Sequence, residues 1–168
     1  MAEITFKGNK IHTIGELPGV GEQSPDFILT SKGMEDKTLS DFKGRKKILN
    51  IVPSLDTGVC AASAKTFEAR AAAGKLGNTV VITISKDLPF AQKRFCSAEG
   101  IENVETLSAF RDEDFGRTYG IDITDGPMRG LLARAVVVLN ENNMVIYNQL
   151  VPEIAEEPDY DSAVASLT

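Results

Sequence analysis

Between Lys46 and Gly100 the chain twice runs from a short β-branched stretch into a helix-forming one, and this alternation limits the available folds more than any other feature. Ile48-Leu49-Asn50-Ile51-Val52 is mostly apolar and ends at Pro53, which suits a central strand. Cys60 to Ala73 is rich in alanine, the strongest helix former, and Gly74 and Gly77 stop it. Thr79-Val80-Val81-Ile82-Thr83-Ile84 is β-branched again. Asp87 can cap a second helix, with Pro89 in its first turn, running to Gly100. Alternating units of this kind imply a sheet with helices on both faces.

The flanks add antiparallel elements. Ile4–Lys7 and Lys10–Ile14 predict an N-terminal β-hairpin turning at Gly8-Asn9, within residues 1–14. Gly15 to Pro25 reads as a loop and Phe27 to Thr30 as a short strand. A strand near Val104 to Leu107 and a helix near Asp112 to Tyr119 follow. Ala135 to Leu139 predicts a buried strand that turns at Glu141-Asn142-Asn143 into Met144 to Tyr147, and Asp159 to Leu167 a terminal helix. The expected class is α/β, a central mixed sheet flanked by helices, in one domain over residues 1–168. A chain of this length can bury about 70% of its unfolded surface and needs no disulfide to hold a core.

Charge and residue counts exclude several functions. A net charge of −6, from 24 acids against 18 bases, argues against non-specific nucleic-acid binding. No Lys or Arg follows Arg134, and Lys43, Arg45, Lys46 and Lys47 cluster; both read as solvated faces. His12 is the one histidine, so any two-histidine metal site or His-based triad starts weak. Cys60 and Cys96 form no C-x-x-C, which excludes a four-thiolate metal site within one chain. Met1 to Lys7 lacks the apolar core of a targeting segment, and the longest apolar run, Ala135 to Leu139, is far too short to span a membrane. The expected compartment is the cytosol, where two cysteines are either inert buried thiols or redox groups.

The chemistry concentrates in Pro53-Ser54-Leu55-Asp56-Thr57-Gly58-Val59-Cys60-Ala61-Ala62-Ser63, where a central strand gives way to a helix. Active sites of α/β sheets gather at such carboxyl ends. Cys60 falls in the first helical turn, with Thr57 or Asp56 as N-cap, where unpaired backbone N–H groups favour a thiolate. Bringing a thiol from about 8.5 to about 6 takes about 3.4 kcal/mol. A helix N-terminus supplies at most about 2 kcal/mol. A cation must supply the rest, and with one histidine present it is an Arg or Lys. By position alone Cys60 is either such a nucleophile or a small buried hydrophobe. A phosphatase loop would need Arg where Thr66 stands. Ser54 to Gly58 could instead cradle a phosphate, as in flavodoxin-like proteins, although neither G-x-G-x-x-G at a strand–helix junction nor a Walker A motif is present. Cys60-Ala61-Ala62-Ser63, a C-x-x-S, leaves a thiol–disulfide oxidoreductase as the nearer alternative.

Pro53-x-x-x-Thr57-x-x-Cys60 resembles the active-site motif of peroxiredoxins, and Asp56 to Ser63 is similar to the bacterial thiol peroxidase subfamily. The resemblance continues through Leu88-Pro89-Phe90-Ala91-Gln92, Arg94-Phe95-Cys96, Gly126-Pro127, Ala133 to Val138 and Glu157-Pro158-Asp159-Tyr160, and covers nearly the whole chain. Only Ala71 to Gly77 is longer than usual for that family. The resemblance implies a thioredoxin-like fold and an atypical two-cysteine mechanism. In it Cys60 attacks hydrogen peroxide or an organic hydroperoxide, Thr57 orients the substrate, Pro53 shields the thiolate and Arg134 supplies the cation. Cys96 would then condense with the Cys60 sulfenic acid within one chain. It also implies thioredoxin as reductant, a homodimer, and no flavin, haem or metal cofactor. Cysteines in two separate helices sit farther apart than a disulfide allows, so both helix ends are expected to unwind when the bond forms.

Overall fold

The computed structural model describes residues 1–168. A hairpin of β1 (Glu3–Phe6) and β2 (Asn9–His12) precedes β3 (Leu29–Ser31), β4 (Asp36–Lys37) and a 3-10 turn at Leu39–Phe42. Then come β5 (Lys46–Ile51), α1 (Gly58–Ala72), β6 (Thr79–Ser85), α2 (Pro89–Glu99), β7 (Val104–Ser108) and α3 (Phe115–Thr118). The chain closes with β8 (Ala135–Leu139), β9 (Val145–Leu150) and α4 (Tyr160–Ala165). Seven strands form one sheet in the order β4-β3-β7-β6-β5-β8-β9. β5, β6 and β7 run parallel, and the remaining pairings are antiparallel. The expected mixed sheet, helices and N-terminal hairpin are all present.

Strand alternation divides the core in two. Ile48, Val81, Val136 and Val138 face Phe67 of α1, Cys96 of α2 and Ala163 just inside α4. Leu49, Ile82, Val137 and Leu139 face the other way, toward Phe27, Leu39, Phe42, Phe115 and Tyr119. Helices α1, α2 and α4 thus cover one face, and α3 with the N-terminal segments covers the other. Phe115 stacks on Tyr119 with ring centroids 4.7 Å apart and meets Phe27 edge-on at 6.0 Å.

Several boundaries depart from the sequence reading. The hairpin turns at Lys7-Gly8, not Gly8-Asn9: both residues have positive φ, 50° and 81°, as a two-residue turn matching strand twist requires. β2 ends at His12, two residues early, because Thr13 leaves to bridge Ile123. The helix expected over Asp112–Tyr119 shrinks to Phe115–Thr118, since the Asp112 carboxylate accepts the N–H groups of Asp114 and Phe115 and holds a turn instead. Asp87 does not cap α2; the N-cap is Leu88, with Pro89 following it.

The hairpin is docked rather than free. Thr5 N–H donates to Pro152 O at 2.7 Å, Ile154 N–H donates to Thr5 O at 2.9 Å, and Gly8 N–H donates to the Glu153 carboxylate at 2.8 Å. The N–H groups of Ala155 and Gly8 hold that carboxyl below the usual range. No helix is long and apolar enough to cross a membrane.

Candidate active site

β5 delivers the chain to the middle of the sheet, and Val52 and Pro53 leave it buried. Pro53 cannot donate to a ladder, so pairing stops there. Ser54 to Thr57 make a tight turn: the N–H and hydroxyl of Thr57 both donate to Ser54 O, at 3.3 and 3.2 Å. Thr57 is the N-cap of α1, with extended backbone (φ −94°, ψ 146°), and its Oγ1 accepts the Cys60 N–H at 3.2 Å. Of the two caps considered from sequence, the structure uses Thr57, and Asp56 stays exposed.

Cys60 is 0% exposed, one turn into α1, among Val52, Leu55 and Ala64. Arg134 reaches it from the start of β8. Its Nη2 lies 3.2 Å from Cys60 Sγ, and Nε donates to Ile154 O at 2.8 Å. Arg134 is 2% exposed, and its Nη1 has no partner although buried. A buried guanidinium is costly unless a negative group faces it, so this pairing is suited to a thiolate. Arg134 also lines a cavity of about 350 Å³, together with Phe6, Lys7, Pro53, Thr57 and Ile154 among others. Pro53, Thr57, Cys60 and Arg134 are therefore brought together. Two other arginines flanking this part of the sequence are elsewhere: Arg111 lies 3.8 Å from Asp36, and Arg129 is exposed in the turn after Gly126.

Cys96 is not brought to them. It is 4% exposed in the last turns of α2 and belongs to the larger cluster under α1 and α4, with Sγ 3.8 Å from Thr106 Oγ1. Burial pushes its thiol up from the ordinary range. Both cysteines are free thiols. Half-buried Phe95 packs against both clusters, between the two sulfur environments. The Cys96 carbonyl accepts the N–H groups of Gly100 and Ile101, with Gly100 left-handed at φ 67°, so Cys96 sits in the last turn of a glycine-capped helix.

Two features escaped the sequence reading. The docked hairpin walls the cavity with Phe6 and Lys7, and contacts distant in sequence, to Pro152–Ile154 and from His12 to Thr124 and Asp125, put it there. Asp87, read as a helix cap, instead accepts from Ser54 Oγ at 2.8 Å, Leu55 N–H at 2.8 Å and Ser85 Oγ at 2.7 Å. An acid two residues past the end of β6 and two before Pro89 was the available signal, but it points equally to a cap.

The Redoxin family profile matches residues 19–164. The thiol peroxidases of Mycobacterium tuberculosis and Mycobacterium bovis are each 55% identical to this chain over 167 residues, covering 99% of both partners. The chain belongs to the Redoxin family and, within it, to the thiol peroxidases. Among solved structures, the peroxiredoxin-like protein of Aquifex aeolicus superposes on this thiol peroxidase family member with a TM-score of 0.92 at 38% identity, covering 99% of this chain and 96% of that one. The thiol peroxidase of Chromobacterium violaceum shares the fold, with a TM-score of 0.87 at 24% identity over 95% of this chain and 91% of that one. The thioredoxin-like arrangement of the thiol peroxidases is thus that of this sheet and its helices, N-terminal hairpin included.

Proposed function

We propose that this thiol peroxidase reduces hydroperoxides through a Cys60 sulfenic acid and an intramolecular Cys60–Cys96 disulfide, as part of antioxidant defence. The observation that carries the reading is the 3.2 Å approach of Arg134 Nη2 to a fully buried Cys60 Sγ, with Arg134, Thr57 and Pro53 all lining one cavity. The Cys60 thiolate attacks one peroxide oxygen, the O–O bond breaks, and the other oxygen leaves as alkoxide or hydroxide and takes up a proton. Arg134 stabilises the thiolate, and its free Nη1 is available to the oxygen on which charge develops. The Thr57 hydroxyl hydrogen is engaged by Ser54 O, so Oγ1 offers only lone pairs and accepts from the O–H of the peroxide. Pro53 keeps water from the sulfur. A sulfur this buried, whose partner Arg134 lines a cavity of about 350 Å³, admits a hydroperoxide more readily than a folded protein's disulfide, which favours peroxidase over disulfide-reductase chemistry.

Resolution then follows. The Cys96 sulfur attacks the Cys60 sulfenic sulfur, water leaves and the S–S bond forms. Cys96 lies in a separate cluster, so the ends of α1 and α2 open for this step. A dithiol, thioredoxin in this proposal, takes over the disulfide and returns both thiols. Thiolate and peroxide suffice chemically, so the proposal includes no flavin, haem or metal. The working unit is one domain over residues 1–168, and the cytosol is the compartment proposed.

Cys96→Ser is expected to reduce one equivalent of peroxide at the wild-type rate but to lose turnover with thioredoxin. Excess peroxide then drives Cys60 to the sulfinic acid. Mass spectrometry should find a Cys60–Cys96 bond in the oxidised wild type and oxygen adducts on Cys60 in the variant. A chain-to-chain disulfide in the wild type, or normal turnover of the variant, contradicts the mechanism.

The proposal includes a homodimer. Met34, Leu88, Phe90 and Phe110 are exposed around one groove of about 300 Å³, at the corner where α2 starts. Contiguous exposed apolar side chains of this size favour a protein interface. A Phe90→Asp, Phe110→Asp variant is expected to sediment as a monomer under conditions where the wild type sediments as a dimer. An unchanged sedimentation coefficient would exclude this face.

A further inference from the structure

Resting on the peroxidase reading, we propose that Asp87 is a positioning residue for peroxide attack, acting on Thr57 and Cys60 through Ser54. Asp87 touches neither cysteine, but it holds Ser54, whose carbonyl takes the Thr57 hydroxyl, and Thr57 Oγ1 in turn accepts the Cys60 N–H. The carboxylate accepts from Ser85 Oγ on the sheet side, and from Ser54 Oγ and Leu55 N–H on the loop side. Its own N–H donates back to Ser85 Oγ at 3.3 Å, and Ser85 Oγ also accepts from buried Gln92 of α2 at 3.1 Å. Asp87 is thereby tied to the end of β6 and the first turns of α2, elements the core holds rigid.

On the loop side, Ser54 Oγ accepts the Asp56 N–H at 3.2 Å, and Ser54 O takes both the N–H and hydroxyl of Thr57. The orientation of the Ser54 carbonyl therefore decides where the Thr57 hydroxyl hydrogen points. That in turn decides that Oγ1 presents lone pairs to the Cys60 N–H and to the cavity. In the Ser54–Thr57 turn only Leu55 is buried; Asp56 is exposed and Thr57 half-buried. Without Asp87 its polar tie to the sheet is gone, and Leu55 N–H and Ser54 Oγ lose their acceptor. A displacement of about 1 Å at an aligning group can cost about 100-fold in rate.

The test compares two reactions of the same sulfur. Oxidation by hydrogen peroxide in a single turnover needs both a reactive thiolate and an aligned Thr57, whereas alkylation by iodoacetamide needs only the thiolate. Asp87→Ala is expected to slow oxidation by about 10- to 100-fold while alkylation stays within about threefold of the wild type. Asp87→Asn should retain most of the oxidation rate: its amide oxygen can accept from Leu55 N–H and Ser85 Oγ, and its NH₂ can donate to a free lone pair of Ser54 Oγ. If Asp87→Ala does not fold, Ser54→Ala takes its place, and a loss of about fivefold in oxidation alone is expected. Wild-type oxidation in the folded alanine variant overturns the proposal. So does a parallel fall in alkylation, which would put Asp87 on the thiolate rather than on alignment, and so does an asparagine variant as slow as alanine. A wild-type chain that leaves peroxide untouched would instead overturn the peroxidase reading itself.

Discussion

Cys60→Ser is expected to bring peroxide consumption to the uncatalysed background, a loss of at least about 10³-fold of the kind seen when an enzymic nucleophile is deleted. The alcohol is not ionised at neutral pH, and no group within reach of residue 60 is a general base: Arg134 is a permanent donor and Thr57 a hydroxyl. The fold should survive. The hydroxyl is slightly smaller than the thiol, still accepts from Arg134, and sits in a helix turn held by Thr57. Loss of stability should stay within about 2 kcal/mol. The check is single-turnover peroxide consumption beside a thermal melt. Substantial activity in a folded Cys60→Ser chain would reject Cys60 as nucleophile and shift attention to Cys96, the other thiol.

Arg134→Met is expected to slow peroxide attack by about 10- to 150-fold, the equivalent of losing one charge-assisted hydrogen bond of about 1.5–3 kcal/mol. Methionine is apolar and long enough to fill much of the space, so the loss reflects charge more than volume. The substitution also strips Ile154 O of its donor, at a cost to stability of about 1 kcal/mol. Arg134→Lys separates the two effects: it keeps a charge beside the sulfur but cannot serve Cys60 and Ile154 at once with a planar fork. Its rate should fall between wild type and Arg134→Met. If Arg134→Met oxidises at the wild-type rate, Lys7, which also lines the cavity, becomes the candidate cation.

The chemistry was legible because it is local. A strand stop, a cap and a cysteine in the first helical turn occupy eight consecutive residues, Pro53 to Cys60, and backbone geometry alone brings Thr57 Oγ1 onto the Cys60 N–H. The alternating runs Ile48–Val52, Thr79–Ile84 and Ala135–Leu139 likewise become strands β5, β6 and β8, since their hydrophobic pattern leaves them nowhere but the middle of a covered sheet. The need for a cation followed from the energy of ionising a thiol. Arg134 as that cation came only with the family resemblance, because nothing in a linear pattern distinguishes it from Arg111 or Arg129.

Boundaries and anchors were not legible, for a common physical reason: each depends on a partner distant in sequence. The hairpin turned one residue earlier than read because docking against Pro152–Ile154, together with strand twist, selects the Lys7-Gly8 turn. Asp87 lost its capping role to donors 32 and 33 positions away, where Leu55 N–H and Ser54 Oγ satisfy the carboxylate better than one helix terminus could. The sequence by itself determined the elements, the sheet and the nucleophile's place at a strand–helix junction, because propensity, periodicity and capping act over a few residues. Only the tertiary structure decided which arginine meets the sulfur, which wall closes the cavity and which acid holds the loop, because those are contacts between segments that only the folded sheet brings together.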